Sequence, residues 1–331
     1  MASETRGSSR KGITRAARVD KVGPRARLMR VTRALVVLVI ALIMLIPVAW
    51  MGMTAFKSRA AAVAVPPKVF FDPTLEGFVN LLTERAQLTE GKRAEMPPRS
   101  ELAWYHRIAL DQGQVITGPS NYASHLKNSV IIAGGSTIAA VALGVLAGYA
   151  FSRFDVPGKS DLLFFILSTR MLPPVVVAIP IFLMYRQLGL HDTHVGMILL
   201  YTAFNLSLSV WLLRGFMDEI PRQYEEAALV DGYTRLQAFA KVVLPNALTG
   251  IAATTVFCLI FAWNEYAFAL MLTSDNARTA PPSITTILGR GGIEWSAIAA
   301  GSLGFLIPVV IVTFALRKHL LRGVTFGAIR Q

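Results

Sequence analysis

Cysteine is nearly absent from this sequence. Cys258 stands alone in 331 residues, which excludes an internal disulfide and any cysteine-rich metal site. Histidine is scarce as well, and none of the five falls in an HxxxH or HExxH spacing, so a metal enzyme is not indicated. Charge is the larger deficit. Only 16% of residues are charged, against roughly 25% in a soluble domain, while 53% are hydrophobic and the mean hydropathy is +0.50. An ordinary soluble globule is excluded on that ground. Acid is scarcer than base: 20 Asp and Glu against 33 Lys and Arg leave a net charge of +13. A nucleic-acid binder carries such an excess, but not at this hydropathy. Repeats and low-complexity tracts are missing too.

What is present is apolar sequence in long runs. Ala34–Phe56, Ser129–Phe151, Leu162–Tyr185, Val195–Leu213, Ala247–Leu272 and Ala297–Leu316 are each 19 to 26 residues long. Only Arg170 and Glu265 interrupt them with charge. A helix rising 1.5 Å per residue needs ~20 apolar residues to cross the hydrocarbon. The expectation is six membrane spans in an all-α protein. The first run follows a basic tail and is too long for a cleaved signal peptide. An Ala62-Val63-Ala64 match lies beyond it, past Lys57 and Arg59.

Orientation follows from lysine and arginine in the short flanks. Residues 1–33 carry ten, 152–161 two, 214–246 four and 317–331 four. The short loops on the other side, 186–194 and 273–296, hold three: Arg186, Arg278 and Arg290. The imbalance places both termini in the cytoplasm, with 1–33 and 317–331 as basic tails. Spacing among Ser, Gly and Ala, with no aromatic, makes the N-tail a segment attracted to anionic lipid rather than to nucleic acid. The long 57–128 segment then lies in the periplasm as a lobe between the first two spans. VPPK at Val65–Lys68 and MPPR at Met96–Arg99 break it. Leu75–Arg85 and Glu101–Asp111 are expected to be short helices. The lobe is too small and polar to bury much of a core alone, so it is expected to pack on a partner or on the membrane surface. Residues 129–316 form the five-helix core.

Within that core, the cytoplasmic loop Arg214–Asn246 has unusual structure for its length. Pro221 suits a first helical position, and Glu225 and Glu226 suit the early turns, where the helix dipole favours acid. Ala227 and Ala228 give a smooth surface, and Gly232 lets the backbone leave the helix. A second helix is expected from about Thr234 to Val243, with Pro245 marking the return to the membrane. As a plain amphipathic element it would anchor the bundle at the headgroups.

The spacing is more specific than anchoring needs. Glu226-Ala227-Ala228, three residues, Gly232, nine residues, then Val242-x-Leu244-Pro245 resembles the EAA loop of binding-protein-dependent ABC importer permeases, with Val242 a mild departure from isoleucine. Trp263-Asn264-Glu265-Tyr266 is similar to a stretch of carbohydrate permeases. Asn128-Ser129, Ala147–Arg153 and Ile307-Pro308 are similar to the shorter permease of the maltose-type pair. The likeness runs from Asn121 to about Gly327. It leaves out the 84–119 insertion and the first 30 residues, and the Gly323–Ala328 tail follows only loosely. It implies an inner-membrane subunit that forms half a pathway with a second permease. An ATPase dimer would dock inside and a solute-binding protein outside. The coupling residues it implies are Glu226, Ala227, Ala228, Asp231, Gly232, Leu244 and Pro245. This chain is expected to bind no cofactor and to be no enzyme. Its Gly158-Lys159-Ser160 has Arg153 where a phosphate loop needs glycine, so ATP and Mg belong to the partner ATPase.

The candidate solute pathway is Arg170, Asn205, Trp263, Asn264 and Glu265. Arg170 lies ~12 Å into its span, where facing lipid costs at least ~2.5 kcal/mol. It either faces a wet cavity or snorkels to the inner headgroups. Glu265 either lines the pathway or pairs with a neighbouring helix. Trp263 stacks on a sugar or anchors at the interface, and Asn205 bonds solute hydroxyls or another helix. Pro173, Pro174 and Pro180 break the third run, and irregular backbone at that depth usually lines a cavity. Thr169–Pro174 is similar to polyol and plant-sugar permeases. The competing class is an ion-coupled secondary transporter or channel with Arg170 and Glu265 as its ion pair, which has no use for an EAA loop. A membrane enzyme ranks behind both, since the loops hold no catalytic cluster.

Overall fold

The computed structural model describes residues 24–94, 96–289 and 292–326. Most of the basic N-tail, Arg290, and Gly327, Ala328 and Arg330 lie outside the described residues. The chain divides into two compact units, 1–50 and 51–331. The first is largely helix α1 (Pro24–Ala55), and its described side chains, from Leu28 to Trp50, are all exposed. An apolar surface of that length is suited to lipid.

The second unit begins with the end of α1 and continues through α2 (Arg59–Ala62), α3 (Glu76–Leu82), β1 (Thr83–Gln87), α4 (Glu90–Ala94), α5 (Trp104–Asp111) and β2 (Gln114–Pro119). Then come α6 (Tyr122–Arg153), α7 (Lys159–Ser168), α8 (Pro174–Leu188) and α9 (His194–Asp218). The 214–246 loop forms α10 (Arg222–Val230), α11 (Arg235–Ala238), a π turn (Phe239–Val243) and α12 (Leu244–Asn246). The chain ends with α13 (Leu248–Trp263), α14 (Ala267–Leu272), α15 (Ala280–Thr285), β3 (Leu288–Gly289), β4 (Gly292–Ile293) and α16 (Trp295–Phe326). Among the described residues, four helices are long and apolar enough to span a membrane, and two bent helix pairs raise that to six if each is one span.

One feature departs from the expected all-α protein of six spans, and a second departs from it only in part. The first is strand. Thr83–Gln87 pairs antiparallel with Gln114–Pro119, and Leu288–Gly289 with Gly292–Ile293. The expected Leu75–Arg85 helix stops at Leu82, because Thr83 turns extended (φ −128°, ψ 141°) opposite Pro119 and opens a strand whose Arg85 and Ala86 pair with Ile116 and Val115, residues that favour strand. The expected Glu101–Asp111 helix starts at Trp104.

The second feature is bending, which the sequence predicts at Pro173 and Pro174 but not in the fifth run; Pro180, expected to break the third run as well, lies inside α8. The third apolar run is α7, a 3-10 turn over Thr169–Met171, and α8 at 92° to the first part. Leu172 and Pro173 each precede a proline and are extended (ψ 122° and 130°), as the proline ring requires of its predecessor. In the fifth run, α13 covers ~24 Å and the helix breaks at Asn264–Tyr266 before α14.

Part of the lobe docks on its own chain. Leu81 on α3 shares a buried cluster with Ala55, Tyr122, Ala280, Ile284 and Ala297. A Cβ on Gly77 would lie 2.6 Å from the Ser296 carbonyl oxygen and 2.7 Å from that of Ala55, so only glycine fits this crossing. The buried Glu294 carboxylate is held there by Arg59 (3.3 Å) and by Asn80 Nδ2 (3.4 Å). In the helical core, α6 and α9 approach at Gly144 and Gly148. A Cβ there would lie 2.1 Å from Ser209 Oγ and 2.9 Å from the Arg214 nitrogen. Cys258 is fully buried beside Leu213, Met217 and Val243.

Candidate coupling loop and pathway cavity

The 214–246 loop is built as two short helices around one glycine. Pro221 caps α10 in an extended conformation (ψ 130°) instead of opening its first turn. Asp231 closes the helix, and Gly232 then takes φ +88°. No atom lies within 4 Å of where its Cβ would be, so the constraint is conformational rather than spatial. Tyr233 N donates to Ala228 O at 3.0 Å, which ties off the end of α10. Thr234 and Gln237 form a reciprocal capping box that starts α11. A π turn follows, in which Leu244 N bonds Phe239 O. Pro245 has no N–H to continue the α ladder, and a widened turn before it accommodates that loss.

The exposed side of this loop carries Glu226, Ala227, Asp231 and Gly232, together with Val230 (88% exposed) and Leu236 (74% exposed). Ala228 is buried, Leu244 is half-buried and Pro245 is exposed. Two adjacent glutamates point in opposite directions. Glu226 faces out, whereas Glu225 is 5% exposed. The Glu225 carboxylate accepts the Tyr149 hydroxyl on one oxygen and Arg153 Nε at 3.0 Å on the other. Arg153 Nη2 also donates to Ile220 O at 3.0 Å, and Arg222 Nη2 donates to Ser152 O at 2.9 Å. In the sequence Glu225 stands out only as an acid suited to a helix N-terminus, and Arg153 as one of two basic residues in the 152–161 flank. The available signal was their opposite signs in two motifs assigned to the same membrane face.

Of the five pathway candidates, three come together. Arg170, Asn205 and Glu265 line a cavity of about 200 Å³ with Tyr201, Phe204, Phe261 and Phe268. The Arg170 guanidinium lies 4.2 Å from the centre of the Phe261 ring. Glu265 accepts Tyr201 Oη at 2.5 Å and the backbone N–H groups of Phe268 (2.8 Å) and Ala269 (3.0 Å). It therefore caps the short helix α14 at the break in the fifth run. Arg170 and Glu265 form no ion pair among the described residues, so the charge pair that an ion-coupled carrier would use is not made. Asn205 donates to Cys258 O at 3.1 Å, a bond between helices. Trp263 stands apart from this cavity. It is stacked on Phe305, with centroids 4.9 Å apart, and donates to Phe305 O at 3.3 Å. Asn264 bonds back to Ile260 O at 2.8 Å and is exposed. Tyr201 and Phe261 were not singled out in the sequence, because apolar spans hide which face is concave.

Residues 140–326 match the family described as the binding-protein-dependent transport system inner membrane component. The chain belongs to this family. It is an inner-membrane ABC-transporter permease, a transport subunit and not an enzyme. The trehalose transport permease of Mycobacterium tuberculosis is 38% identical over 226 residues, 67% of this chain and 82% of its own length. The trehalose/maltose transport permease of Thermococcus litoralis is 32% identical over 234 residues, 70% of this chain and 84% of its own. A chain of the bacterial ABC transporter that imports the acidic polysaccharide alginate superposes with a TM-score of 0.61. It is 21% identical, covering 89% of this chain and 98% of that one, which is a likeness of fold.

At the other end of the permease, one carboxylate fastens two loops. Asp192 sits at φ 55°, a conformation aspartate tolerates. Its Oδ1 accepts Ser274 N (3.0 Å) and Ala277 N (3.1 Å), and its Oδ2 accepts Asp275 N (3.2 Å) and Asn276 N (3.1 Å). Partial burial alone would raise its pKa. The four peptide donors outweigh that and hold the carboxyl below its ordinary value. Asn128 Nδ2 donates to Asn276 O (2.9 Å) and Arg278 O (3.0 Å), while its Oδ1 lies 2.8 Å from His194 Nε2. The permease thereby joins the N-terminal parts of α6 and α9 to the 273–280 loop.

Proposed function

We propose that this permease forms half of the pathway of an ATP-driven importer of sugars or polyols. In this reading its apolar helices make six spans with both termini cytoplasmic, the bent α7–α8 pair being the third. The 57–128 lobe faces the periplasm, where a solute-binding protein delivers cargo. A second permease completes the pathway, and anionic lipid attracts the basic tails. ATP and Mg are bound and hydrolysed on a partner ATPase dimer. The observation that carries the reading is the exposed α10–Gly232–α11 hairpin. It is a rigid pair of short helices with Glu226, Ala227, Asp231 and Gly232 free on its surface, joined to the spans through Leu244 and Pro245. A groove on a moving ATPase can grip such an element and turn nucleotide-driven closure into helix movement. The trehalose and trehalose/maltose relatives support a hydroxylated cargo. The cavity with Arg170 suits one too, since a guanidinium offers five donors and Phe261 an aromatic face.

Gly232→Val tests the coupling role. A β-branched residue resists φ +88°, so uptake in vesicles should fall while the ATPase still binds ATP. Uptake at the parental rate would remove the coupling assignment. Topology is tested with single cysteines and a membrane-impermeant thiol reagent. Gln87→Cys should label in intact cells, and Ser160→Cys and Gln223→Cys only after the cells are opened. The pathway is tested by Arg170→Leu and Arg170→Lys. A snorkelling anchor tolerates lysine, so normal uptake by the lysine variant would take Arg170 out of the cargo's path.

A further inference from the structure

The buried cluster of Tyr149, Arg153 and Glu225 has a geometry that anchoring alone does not require. A buried ion pair is rarely better for stability than well-packed apolar side chains of the same volume. What it supplies is direction. A carboxylate held by a guanidinium N–H and a phenol O–H fixes angles as well as distance. Here the bonds run both ways. Arg153, on the last turn of α6, reaches Glu225 on α10 and the Ile220 carbonyl before it, while Arg222 on α10 reaches back to the Ser152 carbonyl on α6. Both charged side chains of the pair are almost fully buried, at 4% and 6% exposure, so water does not compete for these bonds. The same end of α6 is locked to α9, because at Gly144 and Gly148 there is no room for even one more carbon.

We propose that Tyr149, Arg153 and Glu225 form a strut that makes the coupling helix, α6 and α9 move as one body. Glu225 and Arg153 are then positioning residues for transport, and the outward Glu226 is left to the ATPase. The proposal rests on the reading of the 214–246 loop as the ATPase-docking element. The hinges fall elsewhere, at the two bends already built into the spans: Leu172–Pro173, and the 71° turn where α12 meets α13.

The test uses the assembled importer in lipid vesicles. Spin labels on Asp155→Cys and Gln223→Cys, both exposed positions flanking the strut, report the distance between the end of α6 and the coupling helix. It should be the same without nucleotide and after trapping with ATP and vanadate. In Glu225→Gln and Tyr149→Phe backgrounds it should broaden and shift on trapping. Solute moved per ATP hydrolysed, read with whichever of trehalose, maltose or sorbitol the parent accumulates, should fall about ten-fold in Glu225→Gln. A parental distance that changes on trapping overturns the strut, and so does a Glu225→Gln importer that keeps both the fixed distance and the parental ratio. If Glu225→Gln does not assemble, the parental label pair decides alone. Gly232→Val, measured alongside, separates the two ideas. Normal transport there removes the coupling loop itself, whereas loss there with normal Glu225→Gln removes only the strut.

Discussion

Two carboxylates of the permease, Glu225 and Asp192, fasten segments near opposite ends of α6, and the two joints are made differently. At the 214–246 loop, Glu225 is buried and bonds to side chains, Tyr149 and Arg153. At the opposite end, Asp192 bonds mainly to peptide N–H groups of one loop and stands closer to solvent. Side-chain donors must be present at chosen positions, so the first joint depends on particular residues of α6. Peptide donors come with any sequence of the right loop shape, so the second depends on backbone conformation. Burial separates them further. A charge whose partner is removed in the interior has nowhere to go, whereas an exposed one is rescued by water.

The largest expected effect that separates the joints is Glu225→Ala. It strands Arg153 in a buried site and should destabilise the protein by roughly 3–5 kcal/mol, seen as a large drop in the thermal midpoint in detergent. A drop no larger than that of Asp192→Asn would show the two joints to be equivalent. Next comes Gly144→Val, which places new carbon against Ser209 and should cost about 1–3 kcal/mol by overpacking. It should disturb the α6–α9 contact behind the Glu225 joint and leave the Asp192 loop intact. Cysteine accessibility at Ser274 would check that.

Asp192→Asn should be milder, on the order of 1 kcal/mol, because one amide oxygen replaces two carboxylate oxygens as acceptor. The smallest effect is that of pH on this joint. Its folded pKa lies below the unfolded value. Its contribution is therefore complete above the unfolded carboxylate pKa of about 3.9 and is lost as pH falls through the lower folded value. The midpoint difference between parent and Asp192→Asn should be constant from pH 5 to 8 and shrink only in stronger acid. A difference that changes near neutrality would mean that a group other than Asp192 controls this joint.

Much of this architecture is legible in the chain itself. Apolar runs of about 20 residues have few fates other than the bilayer, and Gly232 between two short helical stretches announces a turn that only glycine makes easily. The Pro173-Pro174 break was readable for the same reason, since a proline restricts its predecessor wherever it stands. These are local rules, satisfied or violated within a few residues.

Three features lay beyond local rules. The Thr83–Gln87 strand exists because Gln114–Pro119, some thirty residues on, pairs with it. Glu225 turns inward while Glu226 turns outward because α6 brings Tyr149 and Arg153 to one side of α10 only. Arg170, Asn205 and Glu265 share a cavity, and Trp263 does not, because the break at Asn264–Tyr266 swings Glu265 toward Tyr201 and leaves the indole stacked on Phe305. Sequence determined which segments are apolar, where the backbone must bend and which end of each span carries base, since each depends on residues close together in the chain. Only the tertiary structure decided which side of each helix meets which neighbour, since a uniformly apolar helix has no periodic stripe to declare its face.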